Sequence, residues 1–326
     1  MAKLLEITGK AISGEWGQDD DTGTGIPVLR TTNFTNEGFV NYKNVVTRSI
    51  SKKNIAEKYL RHGDVIIEKS GGSDKQPVGR VIFFEGEENK YLFNNFTGLL
   101  RVQNPEEWLP KYVFYALYAY YRNGGTRAFE NRTTGLHNLQ VDNYVKSVDI
   151  PKLSYRKQQH ICETLDHVRD AVAYRERQLT KLDELIKARF VEMFGDPYTN
   201  SKDYPLKKGE SFFKLSNGKA VPESKRLNGG IPAYGGNGIS WYTDESLFDA
   251  DTIVVGRVGF QSGNVHLVKG PLWVTDNAMY MSSCDFSQYN LTFLIELMAH
   301  VDFTKFQDAG DLKKITQRPF MQFEYL

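Results

Sequence analysis

The chain has 326 residues, of which 40% are hydrophobic and 25% are charged, as in ordinary globular proteins with about two domains. The formal net charge of +1 excludes a general electrostatic attraction to nucleic acid or to a membrane, so any DNA contact must come from local patches. The two cysteines, Cys162 and Cys284, form no C-x-x-C pair. This excludes a multi-cysteine zinc cluster and predicts two inert thiols in a reducing cytoplasm.

The first residues, Met1–Lys10, contain no apolar leader, so we expect a cytoplasmic protein. The longest apolar run, Tyr112–Tyr121, is too short to cross a bilayer as a helix. It predicts a buried helix whose tyrosine hydroxyls reach partners at its edges.

Two segments of the chain, one before Pro151 and one after Pro197, share the same order of elements. A strand-like run that begins with Ile-Pro comes first, and a second run then leads into a Gly-rich turn. A helical run and a closing segment follow. This consistent order predicts a duplicated domain. The matched pairs are Ile26–Pro27 and Ile231–Pro232, Gly63–Ser73 and Ala250–Gly259, Trp108–Tyr121 and Leu291–Val301, and Gly135–Gln140 and Asp311–Thr316.

Between these segments, Ser154–Pro197 predicts one long helix. Its apolar residues follow one another in alternating steps of four and three, which forms a heptad seam on one face. Ser154 is suited to the N-cap, and Gly195 supplies a stop. At ~1.5 Å per residue such a helix is about 60 Å long, which is typical of a spacer or a dimerising strut. The seam consists of Ile161, Leu165, Val168, Val172, Leu179, Leu182, Ile186 and Met193, with Arg175 and Arg189 in the two gaps.

The charges on this helix are nearly balanced, with eight basic and seven acidic residues between Ser154 and Phe194. We therefore do not expect the helix to be a DNA-binding surface, because intermixed signs suit a coiled coil with solvated flanks. Arginines at two seam positions favour a partner that offers carboxylates, or selection of one register.

Catalytic motifs are absent from the sequence. It contains no P-loop, no H-E-x-x-H, no G-x-S-x-G and no Asn/Asp-Pro-Pro-aromatic motif. The carboxylates of Asp64 and Glu68 beside Lys69 are weakly similar to a metal-dependent nuclease site, but the spacing is wrong, and a charged strand edge is the favoured interpretation. The glycines of Tyr234–Gly238 predict a turn rather than a nucleotide site.

Predicted loops in both segments carry mixed basic, amide and hydroxyl side chains. Arginine can hydrogen-bond to guanine and asparagine or glutamine to adenine, while lysine and hydroxyl groups hold phosphates. For any single residue a solvated loop side chain is the simpler explanation. The candidates for DNA contact are Arg30, Thr32, Asn33, Lys69, Ser70, Lys75, Arg127, Asn131 and Arg132 in the first segment, and Lys225, Arg226, Asn237, Trp241, Arg257 and Gln261 in the second.

The run Leu179–Pro197, LTKLDELIKARFVEMFGDP, together with Ile150–Leu153 and Gln158–Ile161, closely resembles the central spacer helix of type I restriction–modification specificity subunits. The flanking segments resemble the target recognition domains of that family, as at Ile26–Asn33. The resemblance covers essentially the whole chain.

This resemblance implies an α+β fold, with two similar mixed α/β target recognition domains, residues 1–150 and 198–326, separated by a long coiled-coil-forming helix over 151–197. It implies a non-catalytic subunit in which each domain reads one half of a bipartite double-stranded DNA target. The helix would set the gap and dock the modification subunits, which methylate adenine, and restriction subunits would join to cleave unmethylated DNA. No cofactor is expected on this chain, since S-adenosylmethionine, ATP and Mg²⁺ belong to the partner subunits.

One departure from the family is the second spacer helix. The second segment reaches Leu326 about where that helix would begin, and the terminal RPFMQFEYL has no heptad. We therefore expect the distal helix to be lacking and the seam to need a partner. A second copy of the chain and a separately encoded helix are both compatible with this pattern, and so is a truncated allele.

Two other functions compete with a specificity subunit. One is a stand-alone DNA nuclease or methyltransferase with an unrecognised site, which the missing motifs disfavour. The other is a coiled-coil adaptor whose globular ends bind proteins.

Overall fold

The structure, a computed structural model, describes residues 1–52, 54–74, 76–133, 136–310 and 312–326. The chain divides into two units, Met1–Tyr174 and Arg175–Leu326. The division falls inside the long helix α4, Tyr155–Phe194, so each unit includes part of that helix.

The first unit contains thirteen strands and the helices α1 to α3 within its described residues. The helices are α1 Leu4–Thr8, α2 Pro110–Arg122 and α3 Val141–Ser147. The strands are β1 Ala2–Lys3, β2 Ile12–Ser13, β3 Gln18–Asp19, β4 Ile26–Leu29, β5 Val46–Ser49, β6 Val65–Glu68, β7 Ser70–Gly72, β8 Val81–Phe83, β9 Leu92–Phe93, β10 Thr97–Leu100, β11 Glu130–Thr133, β12 Leu136–Leu139 and β13 Asp149–Ile150.

The central sheet of this unit has the order β2-β10-β6-β8 and is antiparallel. Both of its faces are covered, since Val65 and Ile67 point into the core that α2 closes and Ile66 points into a second core. Burial on both faces explains the continuous apolar run in β6, because successive strand side chains alternate between the faces. A second sheet, β3-β5-β4-β9, contains a parallel pair, β4 with β9.

The second unit contains β14 to β22 and the helices α5 Leu291–Val301 and α6 Arg318–Gln322. The strands are β14 Lys207–Lys208, β15 Phe213–Asn217, β16 Ile231–Gly235, β17 Gly238–Thr243, β18 Thr252–Gly256, β19 Val265–Val268, β20 Trp273–Val274, β21 Ala278–Cys284 and β22 Glu324–Tyr325.

The second unit repeats the topology of the first. Its central sheet, β15-β21-β18-β19, corresponds to β2-β10-β6-β8, and the parallel pair β16 and β20 corresponds to β4 and β9. In β18, Ile253 and Val255 enter one core and Val254 enters another, as in β6. The prediction of two similar mixed α/β domains is therefore confirmed.

Each unit is closed by pairing of its first and last strands. In the first, β1 pairs with β13, and Ala2 lies opposite Ile150. In the second, β14 pairs with β22, and Lys207 lies opposite Tyr325. The terminal run that shows no heptad thus forms α6 and the closing strand. Gly135 and Asp311, which begin the two predicted closing segments, lie outside the described residues.

The helix α2 confirms the buried helix predicted over the aromatic run. Its Tyr112, Val113, Phe114 and Leu117 are buried. The tyrosine hydroxyls reach partners at its edges, as predicted: Tyr112 donates to the carbonyl of Pro151 at 2.8 Å, Tyr118 to that of Asn36 at 2.8 Å and Tyr121 to that of Pro77 at 3.2 Å.

The long helix α4 is fixed to the first unit by a buried glutamine. Gln158 is 0% exposed. Its Oε1 accepts from the backbone N–H of Leu109 at 2.8 Å, and its Nε2 donates to the carbonyls of Glu107 and Leu153. About two turns further along, Asp166 accepts from the hydroxyl of Tyr115 at 2.5 Å and pairs with Lys111 at 2.9 Å.

The far end of α4 stops as its sequence predicts. Gly195 adopts φ +81°, a left-handed conformation that glycine takes without strain. Lys202 caps the last turn by donating to the carbonyls of Glu192 at 2.6 Å and Met193 at 2.9 Å. Phe190 packs against Phe293 of α5 within the second unit. None of the described helices is both long enough and apolar enough to cross a membrane.

Candidate nucleic-acid interface

The loop after β4 carries the first predicted DNA-contact residues. Asn33 is 1% exposed: its Oδ1 accepts from the N–H of Arg30 at 3.0 Å, and its Nδ2 donates to the carbonyls of Asn41 and Lys43. These bonds to loop backbone mean that Asn33 shapes the loop instead of facing a ligand. Thr32 is exposed, whereas Arg30 is half-buried and donates to the carbonyl of Asn44 at 3.2 Å.

An ion pair lies beneath this loop. Arg80 and Glu68 form a two-point pair, Nε to Oε2 at 2.9 Å and Nη2 to Oε1 at 3.0 Å, and Arg80 Nη2 also donates to the carbonyl of Thr31 at 3.2 Å. Glu68 is 2% exposed. The pair thus connects strand β6 to the loop. Glu68 can be buried here because Arg80 supplies the opposite charge and two hydrogen bonds.

A second ion pair involves Asp64, which together with Glu68 forms the sequence pattern that is weakly similar to a nuclease site. Asp64, 2% exposed, accepts from Nε and Nη2 of Arg101 at 2.7 and 2.6 Å and from the N–H of Arg61 at 2.7 Å. Both carboxylates are therefore engaged by arginines. The sequence pattern missed these arginines because each lies more than ten residues from its partner.

A small sheet, β11-β12-β7, carries the next candidates. Ser70 donates to Oδ1 of Asn138, and Lys69 donates to Oγ of Ser13 at 3.2 Å. Burial lowers the pKa of Lys69 below its usual value. Asn131 is exposed on β11, opposite Asn138. Lys75 and the side chain of Arg132 lie outside the described residues.

Beside this sheet is an open, basic cleft of about 430 Å³. Arg127, a predicted candidate, lines it together with Arg80 and Arg122, and Tyr118 and Tyr121 form part of the wall. No carboxylate is among the described lining residues. Guanidinium, amide and tyrosine groups around an open cleft suit a phosphate-bearing ligand. The sequence search missed Arg122 and the tyrosines because they lie on α2, whose pattern indicates a core helix.

In the second unit, two predicted candidates contact each other. The guanidinium of Arg226 lies over the ring of Trp241, 4.2 Å from its centroid, and its Nε donates to the carbonyl of Val221 at 3.3 Å. The indole N–H of Trp241 is buried and has no hydrogen-bond partner among the described residues. Lys225 pairs with Glu245 at 2.6 Å.

The remaining candidates gather at one edge of the second unit. The glycines of Tyr234–Gly238 form the predicted turn, which joins β16 to β17 through Gly236 and Asn237. A Cβ on Gly256 would lie 2.7 Å from the carbonyl oxygen of Gly236, so this turn packs directly against the end of β18.

Arg257 and Gln261 follow Gly256 on the same loop. Arg257 is half-buried and donates to the carbonyl of Asp276 at 3.2 Å, whereas Gln261 is exposed. Asn237, at the tip of the adjacent turn, is exposed as well. An amide from each of two adjoining turns therefore faces solvent at this edge.

The apolar seam of α4 faces solvent over most of its length. Ile161 is half-buried against the core of the first unit. The exposed fraction then rises to between 40% and 63% at Leu165, Val168, Val172, Leu179, Leu182 and Ile186. A run of large apolar side chains at this exposure is typical of a surface that another helix covers.

Within the described residues, no group of three or more His, Cys, Asp or Glu side chains is arranged to hold a metal ion. Burial raises the pKa of the Cys162 thiol to about 11 and also raises that of Cys284. Neither cysteine is therefore an activated nucleophile in this environment.

Solved S subunits of type I restriction–modification systems have this fold. The crystal structure of the S subunit from M. genitalium aligns with a TM-score of 0.56 at 15% identity, over 99% of this chain and 83% of that one. A chain from a structure titled for complex assembly and conformational transition of the type I R-M system gives 0.50 at 12% identity, over 99% and 84%.

In sequence, 51 residues are 39% identical to the specificity subunit of the type I restriction enzyme EcoprrI from Escherichia coli. This match spans 16% of this chain and 13% of that subunit. No protein-family model matches the chain. The predicted resemblance to type I specificity subunits is confirmed by the shared fold and by this segment.

Proposed function

We propose that this chain is the DNA-specificity subunit of a type I restriction–modification complex. The observation that carries the proposal is one strand topology repeated before and after a 40-residue helix. Each unit would read one half of a bipartite double-stranded DNA target, and the helix would set the gap between the halves.

The chain would act without catalytic chemistry of its own. Modification subunits would dock on the helix, hold S-adenosylmethionine and methylate adenine, and a restriction subunit with ATP and Mg²⁺ would cleave unmethylated DNA. The engaged carboxylates of Asp64 and Glu68 support this division of labour, since both are held by arginines. The alternative, a stand-alone nuclease or methyltransferase, predicts cleavage or methylation of DNA by the purified chain alone.

The exposed seam supports a further partner for α4. A second copy of this chain, pairing its helix with this one, and a separately encoded helix would both cover the seam. Covering apolar surface contributes roughly 25 cal/mol per Å², so an uncovered seam favours association.

The experiment is methylome sequencing of cells that carry this chain and its modification partner. We expect methylated adenines in a two-part motif with a fixed gap. Replacing residues 1–150 with the corresponding domain of another specificity subunit should change one half of the motif and leave the other half and the gap unchanged. A motif that changes in both halves, or an unsplit motif, would contradict the proposed roles of the units.

A further inference from the structure

The loop between β18 and β19 presents a phenylalanine to solvent. Phe260 is 89% exposed, the highest value among the large hydrophobic side chains of the described residues. Burial of such a side chain is favourable, so its exposure in the free chain leaves that free energy available to a ligand.

The backbone of this loop is held firmly, so the exposure of the ring is not that of a loose segment. Gln307 Nε2 donates to the carbonyls of Phe260 at 3.1 Å and Ser262 at 2.6 Å. On the other side, the N–H of Gly259 donates to the carbonyl of Lys313 at 2.8 Å.

Two further contacts fix the base of the loop. Gly263 has φ +99°, and a Cβ there would lie 2.8 Å from the backbone nitrogen of Thr304. The side chain of Ser262 is fully buried. The loop therefore presents Phe260 in a pre-organised position, and little conformational entropy is lost when it meets a partner.

Cations and amides are the main polar groups on this loop and on the segment that braces it. Arg257 and the exposed Gln261 share the loop with the ring, and the sequence of the bracing segment, residues 307–314, carries Lys313 and Lys314 together with two carboxylates, Asp308 and Asp311. An apolar ring among cations and amides fits double-stranded DNA better than an apolar protein surface, because phosphates need the cations and base pairs accept an inserted ring.

We propose that Phe260 is a wedge that inserts between base pairs of the half-site read by the second unit. This inference rests on the proposed function, since it assumes that the unit faces DNA. Insertion of an apolar side chain unstacks one base step and bends the duplex, and so adds sequence discrimination at a step that no polar group contacts.

The test uses the full chain with its modification subunit and a target duplex that carries 2-aminopurine in the second half-site. Wild type should raise the fluorescence at one step, because unstacking relieves quenching. Phe260→Ala should abolish this rise and weaken binding about 5- to 150-fold, whereas Phe260→Leu should retain part of both. The salt dependence of binding should not change, because no phosphate contact is removed.

Phe286→Ala is the matched control. Phe286 is also exposed, at 63%, but it follows β21 and lies near Asp251, at the opposite end of β18. This variant should bind and unstack DNA as wild type does, and neither variant should lower the thermal unfolding temperature.

The outcomes separate this inference from the proposed function. If wild type methylates a two-part motif and Phe260→Ala retains full affinity and fluorescence, the wedge is refuted and the proposed function stands. If Phe260→Ala instead loses only its association with the modification subunit, the ring is a protein contact and the wedge is likewise refuted. If wild type binds no specific duplex, the proposed function itself fails.

Discussion

The exposed seam of α4 gives the sharpest prediction about assembly. Leu182 is 53% exposed and Leu179 is 63% exposed in the single chain. Replacing Leu182 with glutamate should therefore change the free energy of unfolding of the single chain by no more than about 0.5 kcal/mol. The same change should be costly once a second helix covers the position.

The magnitude follows from the exposed fraction of the side chain. Covering the remaining half of Leu182 is worth about 1 kcal/mol, and a glutamate there adds a carboxylate that must lose water without a partner, at a cost of roughly 2 kcal/mol or more. In a symmetric pair both helices bear this cost, so the total is about 6 kcal/mol, which is on the order of a 10⁴-fold weaker association.

The assay is sedimentation equilibrium of the chain, alone and with its modification subunit. Leu182→Glu should shift the mass towards the lone chain, and Leu179→Glu should do the same. Thr180→Glu is the matched control, since it adds the same charge to an exposed position off the seam of the same helix. Unchanged assembly of both leucine variants would refute the role of the seam, and a monodisperse wild-type monomer at micromolar concentration would refute self-pairing.

Four further predictions concern individual buried groups. Gln158→Leu should lower the thermal unfolding temperature, because it strands buried backbone groups worth about 1–3 kcal/mol each. Glu68→Ala should cost about 3–5 kcal/mol in urea unfolding by leaving Arg80 unpaired, and replacing both residues with methionine should recover most of that loss. Cys162, with its pKa raised to about 11, should react with iodoacetamide at pH 8 only after denaturation. Burial lowers the pKa of His266 in the folded chain. The unfolded chain, in which the histidine has its ordinary pKa of about 6.5, therefore binds more protons than the folded chain as the pH falls. The free energy of unfolding should decrease between about pH 7.5 and 5.5, and the decrease should be smaller in His266→Asn.

The long helix could be predicted because its heptad is a periodic pattern of apolar residues, and the repeated order of elements could be predicted because each element has a local signal, such as an apolar run or a Gly-rich turn. The heptad of α4 and the apolar runs of β6 and β18 depend mainly on neighbouring positions. The turn at Asn237 could be predicted as well, because the glycines that form it are its neighbours in the sequence.

The roles of individual polar side chains could not be predicted in this way. Asn33 looked like a base-reading amide, but loop carbonyls eight and ten residues away hold it. Glu68 forms its ion pair with Arg80, immediately before the neighbouring strand β8. Gln158 forms hydrogen bonds with backbone groups of Glu107 and Leu109, some fifty residues earlier in the chain. Such partners are set by tertiary packing, which leaves no fixed spacing in the sequence.

The strand pairs that close the two units have a consequence for how such a protein can change. Because Ala2 lies opposite Ile150 and Lys207 lies opposite Tyr325, the two ends of the globular part of each unit, residues 2–150 and 207–325, are neighbours. Each globular part is therefore a segment that can be exchanged as a whole, because its two ends lie side by side. Recombination at those ends would replace one globular part while leaving the helix and the hydrogen bonds within the other globular part intact.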